Sequence, residues 1–527
     1  MAYKLSELDK RNLAAFQGDF SRRSLVGISL RVGQIRGLSN LSIKFSYPLS
    51  AIAGRNGSGK STVLALAACA YHNDARGWRL PGRPVSYYRF SDFFVQTQDE
   101  VPVEGVSIHY QIRFDRWKPD ESMPDGRGDG WQVRRKNKGG KWNDYDTRLK
   151  RPVAFFGIDR VVPPSEKSVL KNQRRYFSGA SAKKSTIEEA ARLSVGRILG
   201  VDYKDFELRG FGQHRLPHVK VGTHQYSGFN MGAGEQALFA LFSAVHSAVR
   251  STLFVIDEIE LGLHEAAQRM LIEELKRIAY TQGHQFIFTT HSPTVLECLP
   301  PEGRFFLERS TSGTHVIDGI SPAFAAGRMA ERKSKELVIY VEDQSAKQLL
   351  VSVLDANRRR RIDVVEVGSN SAVVSQANAR FIDRGVDERA VLFVLHGDQR
   401  AALAAHRSTF LRRVDAKWRA SAAEWFDERI AFLPSDLAPE RFVVSVLREQ
   451  HLERLADTLG LDPEEVGGIL DKALVRGGHS EIHWIAEDLC LPQEQVWVAM
   501  CQVLVSEDSA TFGVLLAKID ELLGSSR

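Results

Sequence analysis

The sequence predicts an α/β protein. A parallel-sheet domain built on a phosphate-binding loop carries a β-rich insertion, and a smaller α/β domain and a helical tail follow it. Three observations carry this. Short continuous apolar runs alternate with helical patterns, as strands buried on both faces alternate with crossover helices. Gly54-Arg55-Asn56-Gly57-Ser58-Gly59-Lys60-Ser61 satisfies G-x-x-x-x-G-K-[ST] between an apolar run and an apolar helix. A second strand–helix alternation starts near residue 335 and gives way after about 440 to helical patterns alone.

At 527 residues, 43% hydrophobic and 26% charged, the chain is too long for one ordinary domain and has the composition of a folded protein. Lys and Arg total 71 against 65 Asp and Glu, a net charge of +6. That excess permits a polyanionic partner without establishing one. No apolar run reaches the roughly 18 residues of a transmembrane helix. The first residues lack an apolar signal core. Cys69, Cys298, Cys490 and Cys501 are scattered, with no metal-binding spacing. The expectation is a cytoplasmic, reduced protein with no disulfide, no structural zinc and no membrane partner.

Element by element, residues 1–24 read as a polar helical arm. Segments 26–32 and 41–45 alternate like strands, and 48–53 is a short buried strand leading into the loop and a helix over 62–71. Residues 83–155 read as a β-rich insertion. In it 106–114 alternates, and 131–138 is expected to pair with Trp142 across Gly139-Gly140. With the helical stretch 165–200 the insertion extends to about 225. A strand at 253–257, a helix at 264–280 and a strand at 285–289 follow. The expected domains are 1–325, 335–440 and 441–527. The second has strands at 337–341, 362–367 and 390–395 and a helix at 346–354.

In the loop, glycines let backbone N–H groups turn inward around a phosphate, and the following helix adds its N-terminal dipole. Asn56, Gly57, Ser58, Gly59, Lys60, Ser61 and Thr62 are the expected ATP-binding residues, with Lys60 offsetting phosphate charge and Ser61 offering a hydroxyl to Mg²⁺. The run 253–256 ends in Asp257 and Glu258: the first is placed to reach Mg²⁺, the second to polarise an attacking water. His291, just past the strand 285–289, suits a sensor of the γ-phosphate. Gly232-Ala233-Gly234-Glu235 opens a long apolar helix and reads as a second phosphate-sensing loop.

Together these residues resemble the ATP-binding-cassette ATPases of the structural-maintenance, double-strand-break-repair and overcoming-lysogenization-defect type. Residues 54–61 are similar to Walker A, Asp257 and Glu258 to Walker B and its catalytic Glu, His291 to the switch histidine, and 231–235 to the signature motif. Glu260-Leu261-Gly262-Leu263-His264 resembles the D-loop region. Gln96 is the candidate for the Q-loop glutamine that contacts the metal. The resemblance implies a head-to-tail homodimer or higher oligomer, in which each ATP is held by one chain's Walker A loop and, in trans, the other's Gly232, Ala233, Gly234 and Glu235. Gly232 stands where the family usually has Ser, which implies slow turnover. Only 197 residues separate Lys60 from Asp257, so the long coiled coil of cohesin-like proteins is missing.

In the second half, Glu342 and Asp398 end two strands at a spacing similar to the topoisomerase-primase (Toprim) fold of overcoming-lysogenization-defect nucleases. His396 replaces the first Asp of its Asp-x-Asp, which implies a degenerate site without nuclease activity of its own. Tyr88-Arg89-Phe90-Ser91-Asp92-Phe93-Phe94 and Phe156-Gly157-Ile158-Asp159-Arg160-Val161-Val162-Pro163 also resemble bacterial anti-phage ATPases of the Septu and retron-associated PtuA type. That resemblance implies control of a separately encoded HNH nuclease. Arg134, Arg135, Lys136, Lys138 and Lys141 near Trp131 and Trp142, the stretch Lys167, Lys171, Arg174, Arg175, Lys183 and Lys184, and the run Arg358-Arg359-Arg360-Arg361 allow a phosphate-backbone surface for DNA or RNA. Two alternatives remain open: a self-sufficient overcoming-lysogenization-defect nuclease, and a DNA-repair ATPase of the structural-maintenance type.

Overall fold

The computed structural model describes residues 3–100, 103–137, 142, 147–163, 166, 172, 177, 185–211, 214–310, 313–330, 335–382, 390–477 and 480–524. The chain divides into two compact units, 1–332 and 333–527.

Among the described residues the first unit holds three sheets. Strands β1 (Ser24–Val32) and β2 (Leu41–Lys44) pair antiparallel; β2 is buried at alternate residues, whereas β1 is buried over its first seven. Strand β3 (Leu49–Gly54) is buried along its whole length. Strands β4 (Val106–Phe114) and β5 (Gly128–Lys136) complete an antiparallel sheet of order β2-β1-β4-β5. The segment expected as an insertion from residue 83 is therefore partly integral. Its first two strands extend the β1–β2 sheet, and β6 (Val153–Phe156) enters the central sheet beside the later β10. The apolar faces of β4 and β1 bury Ile108, Tyr110, Ile112, Leu25, Ile28 and Leu30 in one core, which explains the pairing. Lys136 bridges Trp142, so the expected pairing exists there; Gly139 and Gly140 lie outside the described residues.

The helix Thr186–Leu199 starts at a capping box of Ser185 and Glu188. A meander of β7 (Tyr203–Phe211), β8 (His214–Val221) and β9 (His224–Ser227) follows. Strands β10 (Leu253–Ile256), β11 (Gln285–Thr289), β12 (Arg304–Ser310) and β13 (Gly313–Asp318) then complete the central sheet, of order β13-β12-β3-β11-β10-β6. All its strands are parallel except β13, which returns antiparallel along β12. Parallel strands covered on both faces need no polar alternation, and β3, β10 and β11 show none.

The N-terminal segment is a docked helix, Glu7–Gly18. Its Asp9 is fully buried, 3.0 Å from Lys276 Nζ, and accepts from the Tyr47 hydroxyl at 2.8 Å.

In the second unit, β14 (Leu337–Val341), β15 (Ile362–Glu366), β16 (Ala390–Leu395) and β17 (Ile430–Phe432) form a parallel sheet of order β15-β14-β16-β17. Ile339 and Leu392 share one core with Val443, Trp497 and Ile519, so the helices beyond residue 441 cover one face of this sheet. On the other face, Tyr340 and Phe393 pack with Phe381, Phe410 and Phe426. Among the described residues no single helix is long and apolar enough to cross a membrane. The helices Gln493–Glu507 and 509–522 meet that test only as a pair bent by 93°, and they bury Met500, Cys501 and Ile519.

Candidate functional site

The site forms where β3, β11 and β10 end side by side. The register Ala51↔Phe288 and Val255↔Ile287 brings the loop after β3, Thr289 and Asp257 to one edge of the sheet. This is the carboxyl edge at which open parallel sheets place their ligands.

The loop begins at Gly54 and ends where the helix Lys60–Ala68 begins. Gly59 sits at φ +99°, where a Cβ would lie 2.4 Å from Leu38 Cδ2, so both conformation and space demand glycine. Lys60 Nζ is folded over the loop, donating to the carbonyls of Gly54 at 2.8 Å and Arg55 at 3.0 Å. Burial pushes its ammonium below the ordinary lysine range, against the opposing charges of Glu258, Asp257 and Glu260. Ser58 Oγ is buried without a hydrogen-bond partner, the kind of orphaned polar atom a phosphate oxygen satisfies. Asn56 and Gly57 are exposed, as is Ser61 in the first turn of the helix; Thr62 is buried.

Asp257 and Glu258 follow β10. Thr289 Oγ1 donates to Asp257 Oδ1 at 2.5 Å and accepts the Glu258 N–H at 2.7 Å. Glu258 has φ +47°, a left-handed conformation that a side chain rarely adopts without support. Arg160, in the turn after β6, donates to the carbonyls of both acidic residues. His291 follows β11, and its backbone N–H donates to a Glu260 carboxylate oxygen.

Gly232 is the N-cap of the helix Ala233–Ser247. Gly234 lies against Gly262: a Cβ there would stand 2.1 Å from the Gly262 carbonyl oxygen, so the start of this helix and the turn after Glu258 are in direct contact. The Glu235 carboxylate accepts from Tyr203 at 2.7 Å and Tyr226 at 2.8 Å, which ties it to the β7–β9 meander of its own chain. Gln96 lies in irregular chain after the short helix Phe90–Phe93, where it accepts from the Val103 N–H at 3.4 Å.

The second unit places Glu342 and Asp398 at the ends of adjacent strands β14 and β16. Glu342 accepts the His396 N–H at 2.7 Å, and burial raises its carboxyl above the usual range. The His396 ring lies 3.1 Å from Asp343. Burial is the largest influence and works against its charge, but the hydrogen bond to Asp343 and the charges of Asp343, Glu342 and Glu440 together lift the imidazole above its ordinary value. Among the described residues no group of three or more His, Cys, Asp or Glu is arranged to hold a metal ion.

Three arginines of the basic runs are engaged within the chain. Arg358 forms a two-pronged pair with Asp520 at 2.8 and 2.7 Å, and Arg361 is buried against Glu336 at 2.6 Å. Arg134 is buried and donates to Gln132. These three are structural rather than a phosphate surface. Arg135 is exposed, and Trp131 is open with Arg31 5.4 Å from its ring centroid. Lys138, Lys141, Lys167, Lys171, Arg174, Arg175, Lys183 and Lys184 lie outside the described residues. Sequence reasoning missed Thr289 and Arg160 as supports of the acidic pair, and Glu260 as the acceptor of the His291 N–H. For Thr289 the signal was the Thr-Thr before His291; Glu260 and Arg160 stood in quoted segments that gave neither of them this role.

Comparison with known proteins finds likenesses to ATPase domains over this part of the chain. Residues 88–297 match the family described as "AAA domain, putative AbiEii toxin, Type IV TA system", and residues 29–121 match one described as AAA domain. The phosphate loop and the acids beside it, with these similarities to AAA domains, support a P-loop ATPase domain. Protein ea59 of Escherichia phage lambda is 24% identical over 333 residues, which cover 58% of this chain and 56% of that protein. The chain thus spans little more than half the length of that curated relative. Among solved structures, the SMC head domain from Thermotoga maritima is 15% identical, covering 56% of this chain and 98% of that one, with a TM-score of 0.32. The Smc head domain with an extended coiled coil bound to the C-terminal domain of ScpA, derived from Pyrococcus furiosus, is 16% identical, covering 58% and 98%, with a TM-score of 0.35.

Proposed function

We propose that the chain is an ABC-type ATPase that binds ATP and Mg²⁺, dimerises head to tail around the nucleotide, hydrolyses it slowly, and controls a partner effector nuclease in an anti-phage defence system. The observation that carries the ATPase reading is the meeting of three features at one sheet edge: the Lys60 loop, the Asp257–Glu258 pair braced by Thr289, and His291. In this reading Lys60 leaves the Gly54 and Arg55 carbonyls for the phosphates. Ser61 and Asp257 would hold Mg²⁺, which would neutralise phosphate charge. Glu258 takes the proton of the attacking water, and His291 senses the γ-phosphate. The second chain contributes its Gly232–Glu235 segment. Gly232 supplies a backbone donor but no hydroxyl, which supports slow turnover.

The second unit reads as a degenerate Toprim-like domain without nuclease activity. His396 occupies a position where that fold needs a carboxylate, and it is engaged with Asp343. The partner nuclease, a nucleic-acid ligand and the cytoplasmic setting rest on the sequence resemblance; the matched family's description as a putative toxin of a toxin–antitoxin system keeps a defence role in view.

Lys60→Ala is expected to abolish nucleotide binding. Glu258→Gln is expected to bind ATP, lose hydrolysis and accumulate an ATP-dependent dimer on sizing. Hydrolysis by Glu258→Gln at the wild-type rate would overturn the catalytic assignment. Mg²⁺-dependent DNA cleavage by the isolated chain, lost in Glu342→Ala, would favour the self-sufficient nuclease instead.

A further inference from the structure

We propose that Arg160 is the positioning residue that aims the Glu258 carboxylate. The inference rests on the ATPase reading above and assigns a role that the nucleotide motifs do not contain.

Glu258 holds φ +47° in a partly buried turn. A side chain in that region carries a conformational cost of about 1–3 kcal/mol and persists only when its surroundings impose it. Two contacts impose it here. On the amide side, Thr289 Oγ1 accepts the Glu258 N–H at 2.7 Å. On the carbonyl side, Arg160 Nη2 donates to Glu258 O at 2.5 Å, while Nη1 donates to Asp257 O at 2.6 Å and to its own turn at Gly157 O, 3.0 Å. One planar guanidinium thus spans the two successive carbonyls that follow β10. The peptide between the metal-side acid and the water-side acid cannot rotate while this fork is in place.

The support behind the fork is rigid. Arg160 lies in the single turn Ile158–Val161 directly after β6, which runs parallel to β10 with Phe156 opposite Ile256. The same turn packs on the helix Ala233–Ser247 that carries the signature-like segment. Asp257, Glu260, Glu258 and Asp159 place their charges around the guanidinium, so the cation also balances an acidic turn. Water could satisfy a half-exposed carbonyl; a guanidinium held from a neighbouring strand sets its direction as well.

The test uses the full chain. Arg160→Met keeps much of the side-chain bulk and removes every side-chain donor, and Arg160→Lys restores the charge and a single donor nitrogen without the planar fork. Steady-state Mg²⁺-dependent ATP hydrolysis and equilibrium binding of ATP are measured for both, and for Glu258→Gln with and without Arg160→Met. Losing hydrogen bonds from a charged donor predicts kcat down about 10- to 100-fold in Arg160→Met, with KM and ATP affinity within about threefold of wild type. Arg160→Lys is expected to recover part of the rate. The double variant is expected to be no slower than Glu258→Gln alone, because both changes act on one group. Wild-type kcat in Arg160→Met, an equal loss of ATP affinity, or an additive double variant overturns the proposal. If the wild type hydrolyses no ATP and Glu258→Gln changes nothing, the catalytic reading falls and the inference with it. If those two behave as expected and Arg160→Met keeps its rate, only the inference falls.

Discussion

Gly232→Ser restores the hydroxyl that the signature-like segment lacks, and the structure allows its effect to be worked out. Gly232 has φ −62° and ψ 145°, extended backbone that any residue adopts, so no strain accompanies the change. A Cβ at this position meets nothing within 4 Å. Within the chain, Ser at an N-cap stabilises a helix by only a few tenths of a kcal/mol relative to Gly, so the melting temperature should barely move. Across the proposed dimer, the hydroxyl gains a hydrogen bond to a phosphate oxygen, worth about 1.5–3 kcal/mol where one partner is charged. If that bond forms in the transition state, turnover rises at least about tenfold. The assay is steady-state phosphate release at saturating ATP and Mg²⁺, with sizing of the same samples with and without ATP. Unchanged turnover and unchanged ATP-dependent sizing in a folded variant would refute the reasoning. Gly232 would then not face a partner's phosphate, or hydrolysis would be limited elsewhere.

Two further predictions follow from packing and burial. Gly234→Ala puts a methyl 2.1 Å from the Gly262 carbonyl oxygen, so the helix start must move off the turn that follows Glu258. The expected result is about 1–3 kcal/mol of destabilisation by thermal melting together with reduced ATP turnover, and wild-type values for both would show that this contact is dispensable. His284 accepts the Thr252 N–H on Nδ1 and is held neutral by burial, its pKa pushed down from 6.5 to about 3. Because the unfolded chain takes up this proton first, the contribution is complete above about pH 6.5 and is lost as pH falls toward 3. Between pH 7.5 and 4.5 the group should cost about 2–3 kcal/mol, read as the difference in urea unfolding between wild type and His284→Asn. An identical pH dependence in the two proteins would remove His284 from the account.

What the sequence made legible, and what it hid, divides along a physical line. Contiguous signals were readable. The loop 54–61 is one stretch of chain whose glycines answer local demands: φ +99° at Gly59 and a close approach to Leu38. The strands β3, β10 and β11 are continuous apolar runs because both faces are covered. Pairings between distant segments were not readable. The segment after residue 83 alternates like any β-rich insertion, and nothing in that alternation says that β4 would zip onto β1, or that β6 would line β10. Long-range ion pairs misled for the same reason. Four consecutive arginines look like a phosphate-binding run until Asp520 and Glu336 are seen to hold two of them.

Arg160 shows the limit most sharply. It belongs to none of the nucleotide motifs, and its partners are backbone carbonyls roughly a hundred residues further along the chain. A carbonyl is present at every residue, so no side-chain identity at 257 or 258 could have pointed back to it. The left-handed turn at Glu258 was equally hidden, because the strand before it specifies only where the acids emerge, not the direction in which they are turned. Local sequence therefore supplies the chemical groups of the site. The neighbouring strands supply their aim, and a strained acid gripped at both its amide and its carbonyl is the point where the two meet.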